Sequence, residues 1–280
     1  MEPILVIGPH GTTGRRVVER LRELGLAVRG VSRSTPVPFD WERPATWARA
    51  LRGVRTAYVT FHPDLSFPGA AERVGALARE AAGHGMERIV LLTGRGEAGA
   101  LAAEAVLLAA LPRSTALRCA FFAQNLTEGA LHDAVAEGVV AMPVDPGIVE
   151  PFLDADDIAD VAVAALTRPG HEGVVHELTG PRAMTFAEVA DVLAEATGRP
   201  VVFAAVDRAE WVAGAVASGL PAPFADALVD LFDEIFDGRN VATTDGVARV
   251  LGRPATDLVT VAKAAAAAGA WAPPGRGGTT

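Results

Sequence analysis

Three glycines spaced Gly8-x-x-Gly11-x-x-Gly14, running into helix-forming sequence, are the residues of this chain whose types and spacing most clearly suit a chemical task. Gly8 permits a sharp exit from a preceding apolar run, Gly11 lets the backbone approach a pyrophosphate, and Gly14 lets a helix pack close to a strand. The exposed amides of the first helical turn, with the helix dipole behind them, then face negative charge. Thr12 and Thr13 add hydroxyl donors, and His10 lies in the same turn.

The second chemical signal is Val31-Ser32-Arg33-Ser34, about 20 residues further on. A site for the unphosphorylated dinucleotide places Asp or Glu there to accept from the ribose hydroxyls, whereas an arginine flanked by serines suits a 2'-phosphate through charge-assisted hydrogen bonds. The first acid after that point is Asp40. The pattern predicts NADP as cofactor; the bland alternative is that Arg33 is a solvated loop charge.

These residues need elements to position them. Ile4 to Ile7 is a short apolar run with the character of a strand buried on both faces, and Val17, Val18, Leu21 and Leu24 share one face of the helix that follows until Gly25. Leu26–Val31 reads as a second strand, completing a βαβ unit. Thr56–Phe61, Arg88–Thr93 and Thr115–Cys119 continue as strands, separated by helical stretches over 69–82 and 98–111. Such alternation predicts an α/β fold, a Rossmann-type doubly wound parallel sheet. After residue 125 helices dominate, over 156–166, 185–197, 208–218 and 224–236, with a short strand at 176–179. The expected organisation is a cofactor-binding domain over 1–125, receiving some sheet elements from 140–180, a smaller helical substrate lobe over 126–272, and a flexible Pro/Gly-rich tail over 273–280.

Composition narrows the partners. A net charge of -9 over 280 residues, with no basic run to offset it, argues against nucleic acid. A small-molecule substrate is expected, with no membrane segment, a monomeric or homodimeric state, and no metal. One cysteine, Cys119, permits no internal disulfide, and no secretory leader precedes the first apolar run, so the cytoplasm is the expected compartment. Asp154, Asp156 and Asp157 look like metal ligands but precede a helix, where acids serve as cap and dipole partners.

Taken together, GPHGTTG, the Ser-Arg pair, LLTGRGEAGALAAEAVL, LRCAFFAQNLTEG, FLDADDIADVAVAAL and HELTGPRAMTFAEVADVLAEATGR resemble the NmrA-like group of atypical short-chain dehydrogenases/reductases over nearly the whole chain. The resemblance is strongest to the bacterial branch similar to ergot-alkaloid iminium reductases. It implies pyrophosphate binding at Gly8, His10, Gly11, Thr12, Thr13 and Gly14, and 2'-phosphate binding at Ser32 and Arg33. It further implies an adenine contact at Asp40, after a third strand. A nicotinamide-ribose border at Thr60, Phe61, His62, Thr93 and Gly94 follows from the fourth and fifth strands. Phe121, Phe122, Gln124 and Asn125 would floor the cofactor and substrate cleft, and Trp211 and Phe224 are candidate walls.

The chain departs from the wider superfamily at the proton donor. In register with its Tyr-x-x-x-Lys pair stand Ala98 and Ala102; the one tyrosine, Tyr58, reads as a strand core residue, and the one lysine, Lys263, lies near the C-terminus. Thr93 occupies the position of a substrate-holding serine, and His62 is the remaining titratable donor. Arg95 and Glu97 order the loop between strand and helix. The expected function is NADP-dependent hydride transfer to an iminium, quinone or conjugated carbonyl. The competing reading is a redox sensor that binds NADP(H) without turning it over, and a non-redox auxiliary role is the third.

Overall fold

A computed structural model describes residues 2–272; the expected tail over 273–280 lies outside them. In chain order the elements are β1 (Ile4–Ile7), α1 (Thr12–Glu23), β2 (Val28–Val31), α2 (Trp47–Leu51), β3 (Thr56–Val59), α3 (Ala70–Gly83), β4 (Arg88–Gly94), α4 (Ala98–Ala110) and β5 (Thr115–Cys119). There follow α5 (Gln124–Thr127), α6 (His132–Glu137), β6 (Val139–Met142), β7 (Val149–Glu150), α7 (Ala155–Thr167) and β8 (Val175–Leu178). The remainder is β9 (Met184–Thr185), α8 (Phe186–Thr197), β10 (Val202–Ala205), α9 (Arg208–Ala217), α10 (Ala222–Ile235), α11 (Gly246–Leu251) and α12 (Leu258–Ala267).

Two compact units result among the described residues, one built from residues 2–120, 155–179 and 244–255, the other from 121–154, 180–243 and 256–272. The helix expected over 156–166 and the strand over 176–179 therefore belong to the first unit, not to a contiguous C-terminal lobe. The physical reason is long-range pairing. Arg16 donates to Asp156 (3.1 Å) and Arg20 to Asp156 (2.7 Å), tying α1 to the head of α7, while Arg253 donates to Asp157 (2.6 Å). Acids read as simple caps are thus ion-pair partners of residues about a hundred or more positions away.

The first unit holds a six-stranded sheet in the order β2-β1-β3-β4-β5-β8, parallel throughout. Leu5 registers with Arg29 on one side and Ala57 on the other, so strand order reverses at β1. Leu5, Val6, Val31, Ala57, Tyr58, Val90, Leu91, Ala116 and Leu117 are all buried, as strands covered on both faces require. From α1 the side chains of Val17, Val18 and Leu21 are buried as well; full burial of each is worth about 1.5–3 kcal/mol. No strand forms ahead of Asp40. Pro36 and Pro38 interrupt that stretch, and an isolated bridge between Ser32 and Pro38 is all that pairs there, so Thr56–Val59 is the third strand.

The second unit carries two small sheets, parallel β6–β10 and antiparallel β7–β9, beside its helices. Its core gathers Phe152, Phe186, Phe232 and Phe236 with Leu126, Met142, Val189 and Leu193. The helix α8 starts on a capping box in which Thr185 and Glu188 bond each other's backbone.

Candidate functional site

The carboxyl ends of β1, β3 and β4, where strand order reverses, are the general place for a ligand in an open α/β sheet. The glycine turn stands at the end of β1. Gly8 has φ +83°, the left-handed region that favours glycine, and a Cβ at Gly14 would lie 2.0 Å from the Gly8 carbonyl oxygen. The chain therefore turns tightly and α1 begins against the strand end. Gly11 is the N-cap, so no side chain closes the first turn of α1, and no acid sits in that turn. A helix start of this kind leaves its first amides without a side-chain acceptor. Gly11 and His10 are exposed and Thr12 is half-buried. Thr13 differs from expectation: its side chain is buried, and its hydroxyl oxygen accepts the Tyr58 hydroxyl at 2.9 Å, so only its backbone is available to a phosphate.

At the end of β2 the chain folds into a compact turn. Ser32 N–H donates to the Thr35 hydroxyl (2.8 Å), the Thr35 hydroxyl donates back to the Ser32 carbonyl (2.9 Å), and Ser34 N–H donates to the Ser32 hydroxyl (3.3 Å). Arg33 projects from this turn into solvent. Asp40 is bound into its own turn instead of facing outward as an adenine contact. Its carboxylate accepts from Glu42 N–H (3.0 Å) and Arg43 Nε (2.8 Å), and these bonds hold it below the usual carboxylate range. Its carbonyl accepts the Trp47 indole (2.8 Å).

Beyond β3, the Thr60 hydroxyl donates to the Ile7 carbonyl (3.1 Å). Phe61 does not border an open ribose site: its ring packs 4.7 Å from Trp41, within a cluster that includes Phe39 and Trp47. His62 is exposed, before a cis-proline. At the end of β4, Thr93 is buried and its hydroxyl donates to Glu104 (2.7 Å), with the Leu117 carbonyl 3.3 Å away. That commitment removes it as a substrate-holding donor. Gly94 remains half-buried, and a Cβ there would meet the Glu97 carboxylate, so that side chain covers it.

A partly buried ionic chain runs at this end of the sheet. Arg118 donates to Glu104 (3.1 Å) and is registered between Thr93 and Glu177, while Arg95 Nε donates to Glu177 (2.6 Å) and Arg95 N–H to the Cys119 carbonyl (2.9 Å). Burial, with Glu97 and Glu104 nearby, pushes the Cys119 thiol up, so it is inert filler. Sequence reasoning missed Glu104 and Arg118. The available signal was a lone acid in the otherwise apolar helix AGALAAEAVLLAA and an arginine inside a buried strand, each of which demands a partner.

In the second unit, Phe121 packs on Phe236 (5.4 Å) and its N–H donates to buried Glu150 (3.0 Å). Phe122 and Asn125 are half-buried, and Gln124 is buried against Asp154 (2.7 Å), a bond that takes Asp154 out of any ligand role. Trp211 packs edge-on to Phe232 at 5.3 Å, and Phe224 is half-buried at the head of α10. Lys263 pairs with Glu195 at 3.0 Å. Among the described residues no cluster of three or more His, Cys, Asp or Glu is placed to hold a metal, and no helix is long and apolar enough to cross a membrane.

No protein-family model matches the chain. It is 32% identical to the uncharacterized oxidoreductase YesF of Bacillus subtilis, over 95% of this chain and 96% of that one. It is 33% identical to the NAD(P)H azoreductase of Xenophilus azovorans, over 95% of this chain and 98% of that one. Among solved structures, that of Citrobacter sp. triphenylmethane reductase complexed with NADP(H) superposes with a TM-score of 0.75 at 23% identity, over 94% of this chain and 99% of that one. This last likeness is one of fold.

Proposed function

The chain belongs to the NmrA-like group of atypical short-chain dehydrogenases/reductases, and on that premise we propose that it is an NADPH-dependent reductase passing hydride to a small organic acceptor without a Tyr/Lys pair. The single observation that carries the reading is the uncapped, acid-free first turn of α1 behind Gly8 and Gly11, with Arg33 exposed at the next strand end. The amides of Thr12, Thr13 and Gly14 would hold a pyrophosphate, and Ser32 and Arg33 a 2'-phosphate. Bound NADPH supplies the hydride.

The chain's own residues restrict which acceptors suit it. The head of α4 carries Ala98 and Ala102, the Tyr58 hydroxyl is buried and given to Thr13, and Lys263 is paired with Glu195. Reduction of a simple ketone leaves an alkoxide, and loss of a positioned acid costs about 10²- to 10⁴-fold in rate. An iminium becomes a neutral amine on accepting hydride, and quinones and conjugated carbonyls yield delocalised anions that water protonates. Acceptors of these three classes are the proposed substrates, and catalysis rests on positioning and exclusion of water.

The test follows NADPH absorbance with a panel of imines, quinones and enones beside simple ketones. Turnover with at least one of the first three classes and little with ketones is expected; no turnover with any overturns the proposal. The missing proton donor also favours a second reading, a sensor, which would bind NADP and NADPH with clearly different affinities and consume neither. Replacing Arg33 with Ala should weaken NADPH binding by roughly ten- to a hundredfold, the worth of a charge-assisted hydrogen bond, and leave NADH within about twofold. Equal losses in a calorimetric titration would remove Arg33 from the phosphate site.

A further inference from the structure

The only tyrosine of the chain is fully buried in β3, where a phenylalanine would fill the same space. A buried hydroxyl is costly unless bonded, and this one donates to the Thr13 hydroxyl oxygen at 2.9 Å in the first turn of α1. Two residues further along the extended chain, on the same side, the Thr60 hydroxyl donates to the Ile7 carbonyl at 3.1 Å. Ile7 immediately precedes the glycine turn and Thr13 lies at its helical end. One strand thus grips the turn on both sides. Its middle is equally confined: a Cβ on Gly8 would lie 2.2 Å from the Thr60 hydroxyl oxygen, and one on Gly14 would strike the Gly8 carbonyl.

We propose that Tyr58 and Thr60 form a two-point clamp that sets the phosphate-binding turn, with Tyr58 a positioning residue for cofactor affinity. The inference rests on the cofactor reading above. Amides already held in their binding arrangement lose less freedom when the anion arrives, so the bond to Thr13 contributes to affinity although Tyr58 itself touches no phosphate. Burial pushes the Tyr58 phenol up from its ordinary value, which keeps its proton on the clamp across the physiological range.

The experiment is calorimetric titration of NADPH into the full-length protein, paired with thermal melts. Tyr58→Phe and Thr13→Val should each weaken NADPH binding by roughly five- to tenfold, the worth of one hydrogen bond. The double variant should be no weaker than either single one, because the two remove the same bond. Thr13→Ser, which keeps an acceptor oxygen, should recover most of the loss seen in Thr13→Val. Leu77→Ala, a change in the α3 core, should lower Tm without moving the Kd. A Tyr58→Phe protein with lowered Tm but a Kd within twofold of wild type overturns the clamp. Should Tyr58→Phe fail to fold, the Thr13→Val and Thr13→Ser pair carries the same comparison. A wild-type protein that binds no nucleotide overturns the cofactor reading, whereas one that binds while both single variants match it overturns the clamp alone.

Discussion

The turn at the end of β1 and the helix α9 stand at opposite ends of the packing range in this protein. At Gly8 and Gly14 there is no room for a methyl group, and hydroxyls from Tyr58 and Thr60 hold both flanks. In α9 no residue is fully buried, although Trp211, Val212 and Val216 are apolar, and a Cβ on Gly214 would meet nothing within 4 Å. The paired strands β6 and β10 of the same unit leave Val139 46% and Val202 53% exposed, whereas no large hydrophobic in the strands of the six-stranded sheet is exposed. Dense packing allows one backbone conformation, which a fixed array of amides needs. Sparse packing belongs to the low end of local stability, from which adaptable binding elements are drawn.

Adding a single methyl group at each place tests the contrast directly. Gly14→Ala forces the Gly8 carbonyl away and should cost about 3 kcal/mol, read from the urea midpoint, together with loss of NADPH binding. A variant of wild-type stability would mean that the turn is not confined. At the weak end, Gly214→Ala replaces an exposed helical glycine and should stabilise by about 0.5–1 kcal/mol, since alanine is the better helix former. A loss of stability there would show that α9 is packed after all.

Between these extremes lies the edge of the large sheet. His176 in β8 is buried with its Nε2 3.0 Å from His171 Nδ1, and burial, His171 and Arg249 together push its pKa down from 6.5 to about 4. His171 is lowered as well, by burial first. Because the unfolded chain binds the proton more tightly, this contribution is fully present above pH 6.5 and is lost as pH falls toward 4. The expected loss is roughly 2–3 kcal/mol over that window. His176→Gln should flatten it, as checked by urea melts at a series of pH values. An unchanged slope would place the acid sensitivity elsewhere, and no such dependence is expected from the second unit's exposed ion pairs, which are worth little.

The fold was legible to the extent that it depends on local pattern. Ile4–Ile7, Arg88–Gly94 and Thr115–Cys119 are apolar runs of strand length, and the apolar stripe of α1 repeats at helical spacing, so each declares its type from its neighbours. The Thr185–Glu188 cap of α8 could be read in the same way. The site was legible in part. Gly8 and Gly14 make the tight turn and the close helix packing that their spacing implies, whereas Thr13 and Thr93 are buried, Phe61 packs on Trp41, and Asp40 is bound into its own loop. A hydroxyl or carboxylate at a strand end has the same sequence signature whether it faces ligand or core, and only its partner tells the two apart.

Residue order alone therefore determined the alternation of strand and helix, the position of the glycine turn, the arginine at the next strand end and the alanines at the head of α4. Those properties rest on backbone conformation and residue chemistry over short spans. Tertiary structure decided that residues 155–179 and 244–255 return to the first unit, that Glu104 meets Arg118, and that the sole tyrosine bonds Thr13. Each of these joins groups distant in the chain, and a polar side chain's partner is set by which buried neighbour can satisfy it, a condition that exists only once the core has formed.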